Sequence, residues 1–379
     1  MNQVLKLFLG ILTMVCYFSC RKDTPLQTEA EILRKYLKLP TSPYNYAALP
    51  LPTFFNNQFV KIQNNTPANN ITTDWGATLG RVLFYDKRLS KNHTIACASC
   101  HQQQFGFSDT AQFSLGFLGG FTKRHSMSLI NAAYYVNGRF FWDERASSLE
   151  EQVLMPVQDA VEMGMTLDSL VSRLQHTEFY PILFKYAFGS SIITLENVSK
   201  ALAQFVRSMV SYQSKYDEGL AKASNRNVDF PNFNTEENQG KGIFMNNPKV
   251  NCSGCHNTDV FILDNARNNS LSGTNTDLGI FVHTKNPLDI GKFKTPSLKN
   301  VAERHRYMHN GSVVGLEAVI NHYNVGIQAN PTIDPHLKDG NGNPVQMNLT
   351  SSEINALKAF LVTLSDKKIM TDEKFSSPF

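Results

Sequence analysis

Two pentapeptides carry most of the chemistry legible in this chain: Cys97-Ala98-Ser99-Cys100-His101 and Cys252-Ser253-Gly254-Cys255-His256. A pair of thiols at this spacing can add to the two vinyl groups of a porphyrin, and the adjacent imidazole can bind the iron from one face. Zinc is the competing reading, but the halves of a zinc ribbon usually lie roughly 15 to 20 residues apart. Here most of a domain separates them. A thioredoxin-like dithiol is weaker still, since neither motif opens a βαβ pattern and both carry the trailing His. The spacing predicts two c-type haems, attached at Cys97, Cys100, Cys252 and Cys255, with His101 and His256 as proximal ligands.

The remaining cysteines agree with this. The chain has six, and the two outside the motifs, Cys16 and Cys20, lie at the N-terminus. Leu7 to Phe18 is an apolar run of twelve, too short to span a bilayer and suited to a signal h-region. Cleavage after Ser19 would leave Cys20 as a lipidated first residue, although Tyr17 and Phe18 are bulkier than a lipobox prefers. Ordinary signal cleavage and an uncleaved anchor stay open. The expectation is export, with the protein on the periplasmic side of the envelope, held by a lipid. The net charge of +4 comes without a Lys/Arg-rich run, which argues against a nucleic-acid face.

The elements that must position these motifs read as helices. Helical stretches are predicted near 28–37, at 75–85 with Asp74 as N-cap, and at 148–155, 166–175, 195–211, 235–245 and 351–365. No segment alternates long enough to demand a sheet. Gly240-Lys241-Gly242-Ile243-Phe244 ahead of the second motif echoes Gly80-Arg81-Val82-Leu83-Phe84 ahead of the first, an internal repeat of a helix-then-haem unit. The expected class is mainly α, with two cytochrome c-like haem domains and few or no strands. The expected division is a signal peptide at 1–19, a tether and strap at 20–72, and haem domains at 73–234 and 235–379.

From about Leu79 to Leu364 the chain resembles the bacterial di-haem cytochrome c peroxidases and their MauG-type relatives. Phe141-Trp142-Asp143-Glu144-Arg145-Ala146 is similar to that family's Phe-Trp-Asp-Gly-Arg-Ala element, with Glu in place of Gly. Thr295-Pro296-Ser297-Leu298-Lys299-Asn300 and Tyr307-Met308-His309-Asn310-Gly311 are similar to its Pro-Ser-Leu-Arg-Asn and Tyr-Met-His-Asp-Gly stretches. The resemblance implies a peroxidatic N-terminal haem and an electron-transferring C-terminal haem. Most peroxidase members cap the first iron with a His sixteen residues beyond the motif's His; here that position is Phe117, which cannot ligate iron. The first iron is then open, unless the nearby His125 swings in. His125 otherwise stands where the family places an Asn ligand of an interdomain calcium, a substitution that counts against calcium.

The resemblance further implies Glu162 as the carboxylate that moves the peroxide proton, Gln152 as the amide that orients peroxide, and Trp142 as a relay between the haems. A lone Glu is otherwise most often a solvated helix-end group, and a Trp a packed core residue. Asp143 and Arg145 read as a structural ion pair or as propionate contacts. The distal ligand of the second iron falls on Tyr323, with Met308 and His322 as alternatives. Tyrosinate favours ferric iron where Met would favour ferrous. The implied function is a peroxidase that reduces hydrogen peroxide with electrons from a small exported cytochrome or copper protein. A MauG-like oxidase of a protein side chain and a non-catalytic di-haem carrier are the alternatives.

Overall fold

The computed structural model describes residues 27–249, 252–263 and 265–379. The signal and lipid-anchor expectations, with Cys16 and Cys20, lie outside the described residues. Among those described, no helix is long and apolar enough to cross a membrane.

The fold is mainly helical, as expected. Its helices start where the chain offers oxygen caps. Thr28 caps Glu29–Tyr36 in a reciprocal capping box with Glu31, and Thr166 caps Leu167–Gln175. Leu195–Arg207 begins at Thr194, Thr235–Asn246 at Asn234, and Ser351–Val362 at Thr350. The Asp74–Tyr85 helix is capped by Thr73, not Asp74. The Asp74 carboxylate instead accepts hydrogen bonds from the backbone of Tyr46 and Ala47, tying down the N-terminal strap. The segment expected as one helix at 148–155 is broken into Leu149–Gln152 and Met155–Gln158, the second opening with Pro156 in its first turn. Tyr180–Phe188 is a further helix that helical periodicity does not reveal, because it is apolar on nearly every face; Gly189, at φ 77°, ends it.

The internal repeat is physical. The Asp74–Tyr85 helix crosses Leu195–Arg207 with Gly80 seated on Ala201, so close that a Cβ would stand 2.0 Å from the Ala201 carbonyl oxygen. In the second half, Thr235–Asn246 crosses Ser351–Val362 with Gly240 on Ala356, at a corresponding 1.8 Å. Phe205 and Phe360, each one turn beyond the alanine, also press on these glycines. Two glycine-mediated crossings thus back the two haem motifs. Phe107 and Phe261, shortly after each motif, share a φ of 55°, a further sign of repetition.

The cores do not follow the chain strictly. The first gathers Leu33 to Met209 and takes in Ile369, Met370 and Phe375 from the C-terminal tail. The second begins at Tyr216 and runs to Leu364, so that Tyr216, Leu220 and Phe230 join it ahead of residue 235. Strand structure is confined to the two-residue hairpin Arg306–Tyr307 with Val313–Val314 and isolated bridges among the described residues.

Candidate functional site

Each pentapeptide opens a cavity. The first, of about 760 Å³, is lined by Cys97, Cys100, His101, Gln152 and Glu162 among others. His101 donates its Nδ1 proton to the Phe107 carbonyl, 3.0 Å away, which leaves the Nε2 lone pair for a metal. Burial holds the imidazole pKa below its ordinary value, so the ring is neutral. None of the four motif cysteines is in a disulfide. Burial pushes the Cys97 thiol up to about 12 and Cys100 to about 11. The donor set and the enclosing volume fit a covalently attached haem.

Glu162 is a half-buried carboxyl on the loop after Met155–Gln158. Burial, then the nearby charge of Asp159, push its pKa up to about 7, with Arg145 pulling the other way. The loop is fixed from beneath by Phe117: its backbone N–H donates to the carbonyls of Val161 and Glu162 at 3.2 and 3.1 Å. The Phe117 ring fills the space over Gly164, where a Cβ would stand 2.3 Å from Cζ. Asn92 holds the Phe117 carbonyl at 2.6 Å. Phe117 is therefore absent from the cavity lining and serves as a wedge between the hairpin at 114–122 and the Glu162 loop.

His125 lines this cavity but is fully engaged. Its Nε2 lies 3.2 Å from the Ser108 hydroxyl and its Nδ1 3.1 and 3.2 Å from the carbonyls of Ala111 and Gln112. Swinging to the iron would break all three contacts, so the structure keeps it as a wall residue. It also spans the two halves: the Trp142 indole donates to the His125 carbonyl at 2.7 Å, and the His125 N–H donates to the His309 carbonyl at 2.9 Å. His125 and Trp142 line both cavities. Asp143 pairs with Arg145 at 2.9 Å and with Arg124 at 2.6 Å, while Arg124 reaches Asp277 in the second half at 2.7 Å.

The second cavity is lined by Cys252, Cys255, His256, Met308 and Tyr323 among others. Burial lowers the His256 pKa to about 4, against the pull of the Pro296 and Phe261 carbonyls, which leaves it neutral as a ligand must be. Tyr323 lies in a widened π-helical turn, His322–Gly326, that follows the Leu316–Asn321 helix. That turn directs Tyr323 to the cavity and His322 away, where its Nε2 meets the Asn269 carbonyl at 3.0 Å. Met308 stays on the lining, its Sδ 3.1 Å from the Asn269 amide nitrogen. Burial raises the Tyr323 phenol well above its ordinary value, and a hydrogen bond with Asn269 opposes the shift. Asn269 touches all three ligand candidates, and nothing in its sequence context announces it. Glu144, by contrast, was visible as a Glu where the related element carries Gly.

Known proteins share these features. Residues 75–225 match the family model for the di-haem cytochrome c peroxidase. The methylamine utilization protein MauG of Methylophilus methylotrophus is 36% identical over 257 residues, which cover 68% of this chain and 74% of that protein. The cytochrome-c peroxidase IdrP1 of Pseudomonas sp. (strain SCT) is 29% identical over 329 residues, 79% of this chain and 83% of its own length. Among solved structures, a MauG-like protein associated with microbial copper homeostasis superposes with a TM-score of 0.71 at 30% identity, over 89% of this chain and 99% of that one.

Proposed function

Because the chain belongs to the family of di-haem cytochrome c peroxidases and MauG proteins, we propose that it reduces hydrogen peroxide to water at the His101 site, with electrons passing through the His256 site. The carrying observation is the cavity that His101 lines. Glu162 and Gln152 line it, and Phe117, at the position where related peroxidases carry a capping His, is packed on Gly164 instead.

When bound, a haem at the first site supplies the iron that accepts peroxide oxygen. The residues around it do the proton work. Gln152 orients peroxide through its side-chain amide. Glu162, with a pKa near 7, takes the proton from one peroxide oxygen and returns it to the oxygen that leaves as water. Phe117 and Asn92 brace the backbone of the loop that carries Glu162, and the neutral His101 is aimed by Phe107. Trp142, on the wall common to both cavities, passes electrons inward. At the second site His256 and Tyr323 would hold the haem, while the His322 ring is engaged by the Asn269 carbonyl.

Electrons come, in this reading, from a small exported cytochrome or copper protein, and the protein works on the periplasmic side of the envelope, where c-type haem is attached. A lipid anchor at Cys20 would hold it there. A second reading, oxidation of a protein side chain, draws on Tyr323 and the MauG similarity.

Optical and EPR spectra of the resting ferric protein test the assignment. The expected pattern is one high-spin haem and one low-spin haem lacking the near-infrared band of Met ligation. Two low-spin haems would rule it out. Peroxide turnover with reduced cytochrome c then separates peroxidase from side-chain oxidase, which would consume peroxide without oxidising the cytochrome.

A further inference from the structure

Behind Trp142 lies a buried polar cluster that the peroxide chemistry above leaves unused. Tyr135 is fully buried, at 0% exposure, and donates its hydroxyl proton in a close hydrogen bond to the Glu144 carboxylate, itself 8% exposed. The Lys294 side-chain nitrogen stands 3.0 Å from the centre of the Tyr135 ring and donates to the Arg139 carbonyl at 2.8 Å. The Lys294 backbone N–H is bonded to the Trp142 carbonyl at 2.8 Å. Tyr135, Trp142 and Lys294 all line the first cavity.

The cluster is costly as mere packing. Glu144 has φ 55°, a left-handed backbone that glycine adopts freely and a Glu does not. It also places a carboxyl in the interior beside a phenol, where Phe and Gly at these two positions would fill the core without burying charge. Burial raises the Glu144 pKa and lowers that of Lys294 well below its ordinary value, while the Tyr135 hydrogen bond pulls Glu144 back. The hydrogen bond from the Tyr135 hydroxyl sets a Glu144 carboxyl oxygen within reach of one specific proton.

We propose that Tyr135 is an oxidisable side chain of the first site, giving up one electron toward that site while its hydroxyl proton passes to Glu144. This rests on the peroxide reading, because hydrogen peroxide is the oxidant. Reduction of one peroxide to two waters takes up two electrons and two protons; Tyr135 supplies one of the electrons, the bound haem iron the other, and both protons come from solvent. Its O–H bond breaks, the proton goes to a Glu144 carboxylate oxygen, and a neutral phenoxyl radical is left. An electron from the external donor and return of the Glu144 proton restore the phenol. Trp142, one backbone hydrogen bond from Lys294, shares the wall through which the electron leaves.

The experiment treats the di-haem protein with one equivalent of hydrogen peroxide, freeze-quenches it, and records haem absorption and EPR in parallel. An organic radical is expected whose signal narrows when the protein carries ring-deuterated tyrosine. Tyr135→Phe should abolish that signal while the haem absorption still changes. Glu144→Gln should slow its formation about 100-fold, the lower range for loss of a positioned base. Deuteration reads the unmodified protein and stands even if a variant folds poorly. A radical insensitive to tyrosine deuteration, or one that survives in Tyr135→Phe, overturns this proposal alone. Wild-type haem absorption that ignores peroxide overturns both it and the peroxide reading.

Discussion

Glu162 is the residue whose environment bears most directly on the proposed reaction. A carboxylate must be deprotonated to accept a peroxide proton, and burial with Asp159 nearby places its pKa at about 7. The rate of reaction with peroxide is therefore expected to rise with pH through about 7 and level off above it. Glu162→Gln should lower the rate by about 10²–10⁴-fold and remove the rise, measured by stopped-flow absorption across pH 5–9. The same shift bears on stability. A carboxyl whose folded pKa lies above its unfolded value of 4.5 binds more protons when folded, so its contribution weakens as pH climbs from 4.5 to 7 and stays low above that. The sequence identified Glu162 through its place in a related pattern, but the same letter in the same pattern could have sat in water. Burial, an outcome of the fold, sets its basicity.

At the scale of elements, the hairpin at 114–122 and the two glycine crossings yield sharper expectations than the motifs do. Phe117 was legible as a non-ligand, though the sequence carried no sign of what it does instead. Its backbone bonds to Val161 and Glu162 and its ring against Gly164 fix its direction away from the cavity. Phe117→His should consequently leave the first haem high-spin in the resting EPR spectrum, because the new imidazole inherits the packed position. A conversion to a bis-His low-spin signal would show the hairpin to be free. Gly240→Ala would drive a methyl into the Ala356 carbonyl and should cost about 1–3 kcal/mol or more in chemical denaturation. Gly242→Ala on the same helix meets nothing within 4 Å and should be neutral or stabilising by about 0.5–1 kcal/mol. The one cap read from the sequence, Asp74, was off by a residue: Thr73 and Asp74 both carry a capping oxygen, and the bonds of Asp74 to the Tyr46 and Ala47 backbone decide between them. The all-round apolar Tyr180–Phe188 was not readable, since a helix buried on every side has no polar face to give a period.

The whole molecule is stitched across its two halves. The tail that ends the chain returns to the first core, burying Ile369, Met370 and Phe375 there. Arg81 Nε donates to the Ser376 carbonyl and the Tyr85 hydroxyl to that of Phe375, both at 2.6 Å. Removing residues 367–379 strips three large side chains from that core, at roughly 2 kcal/mol each. It should lower the thermal midpoint of the first haem's absorption change more than that of the second, although the tail is continuous with the second half. Equal shifts would mean that the two halves unfold as one unit.

What the sequence determined by itself was the local chemistry. Thiols and imidazole fall within one turn of chain at each motif, and six-cysteine arithmetic leaves no competing use for them. Spacing of that kind survives any fold, which is why the haem count, the helical class and the family were legible. The tertiary structure decided everything that lies across the cavity. It packed Phe117 under Glu162, opened a π turn that points Tyr323 inward and His322 toward Asn269, and set Tyr135 against Glu144 beside Lys294. These pairs are far apart in sequence or adjacent with opposite directions. Only packing, which fixes side-chain direction and desolvation together, could distinguish a ligand or a base from its neighbours.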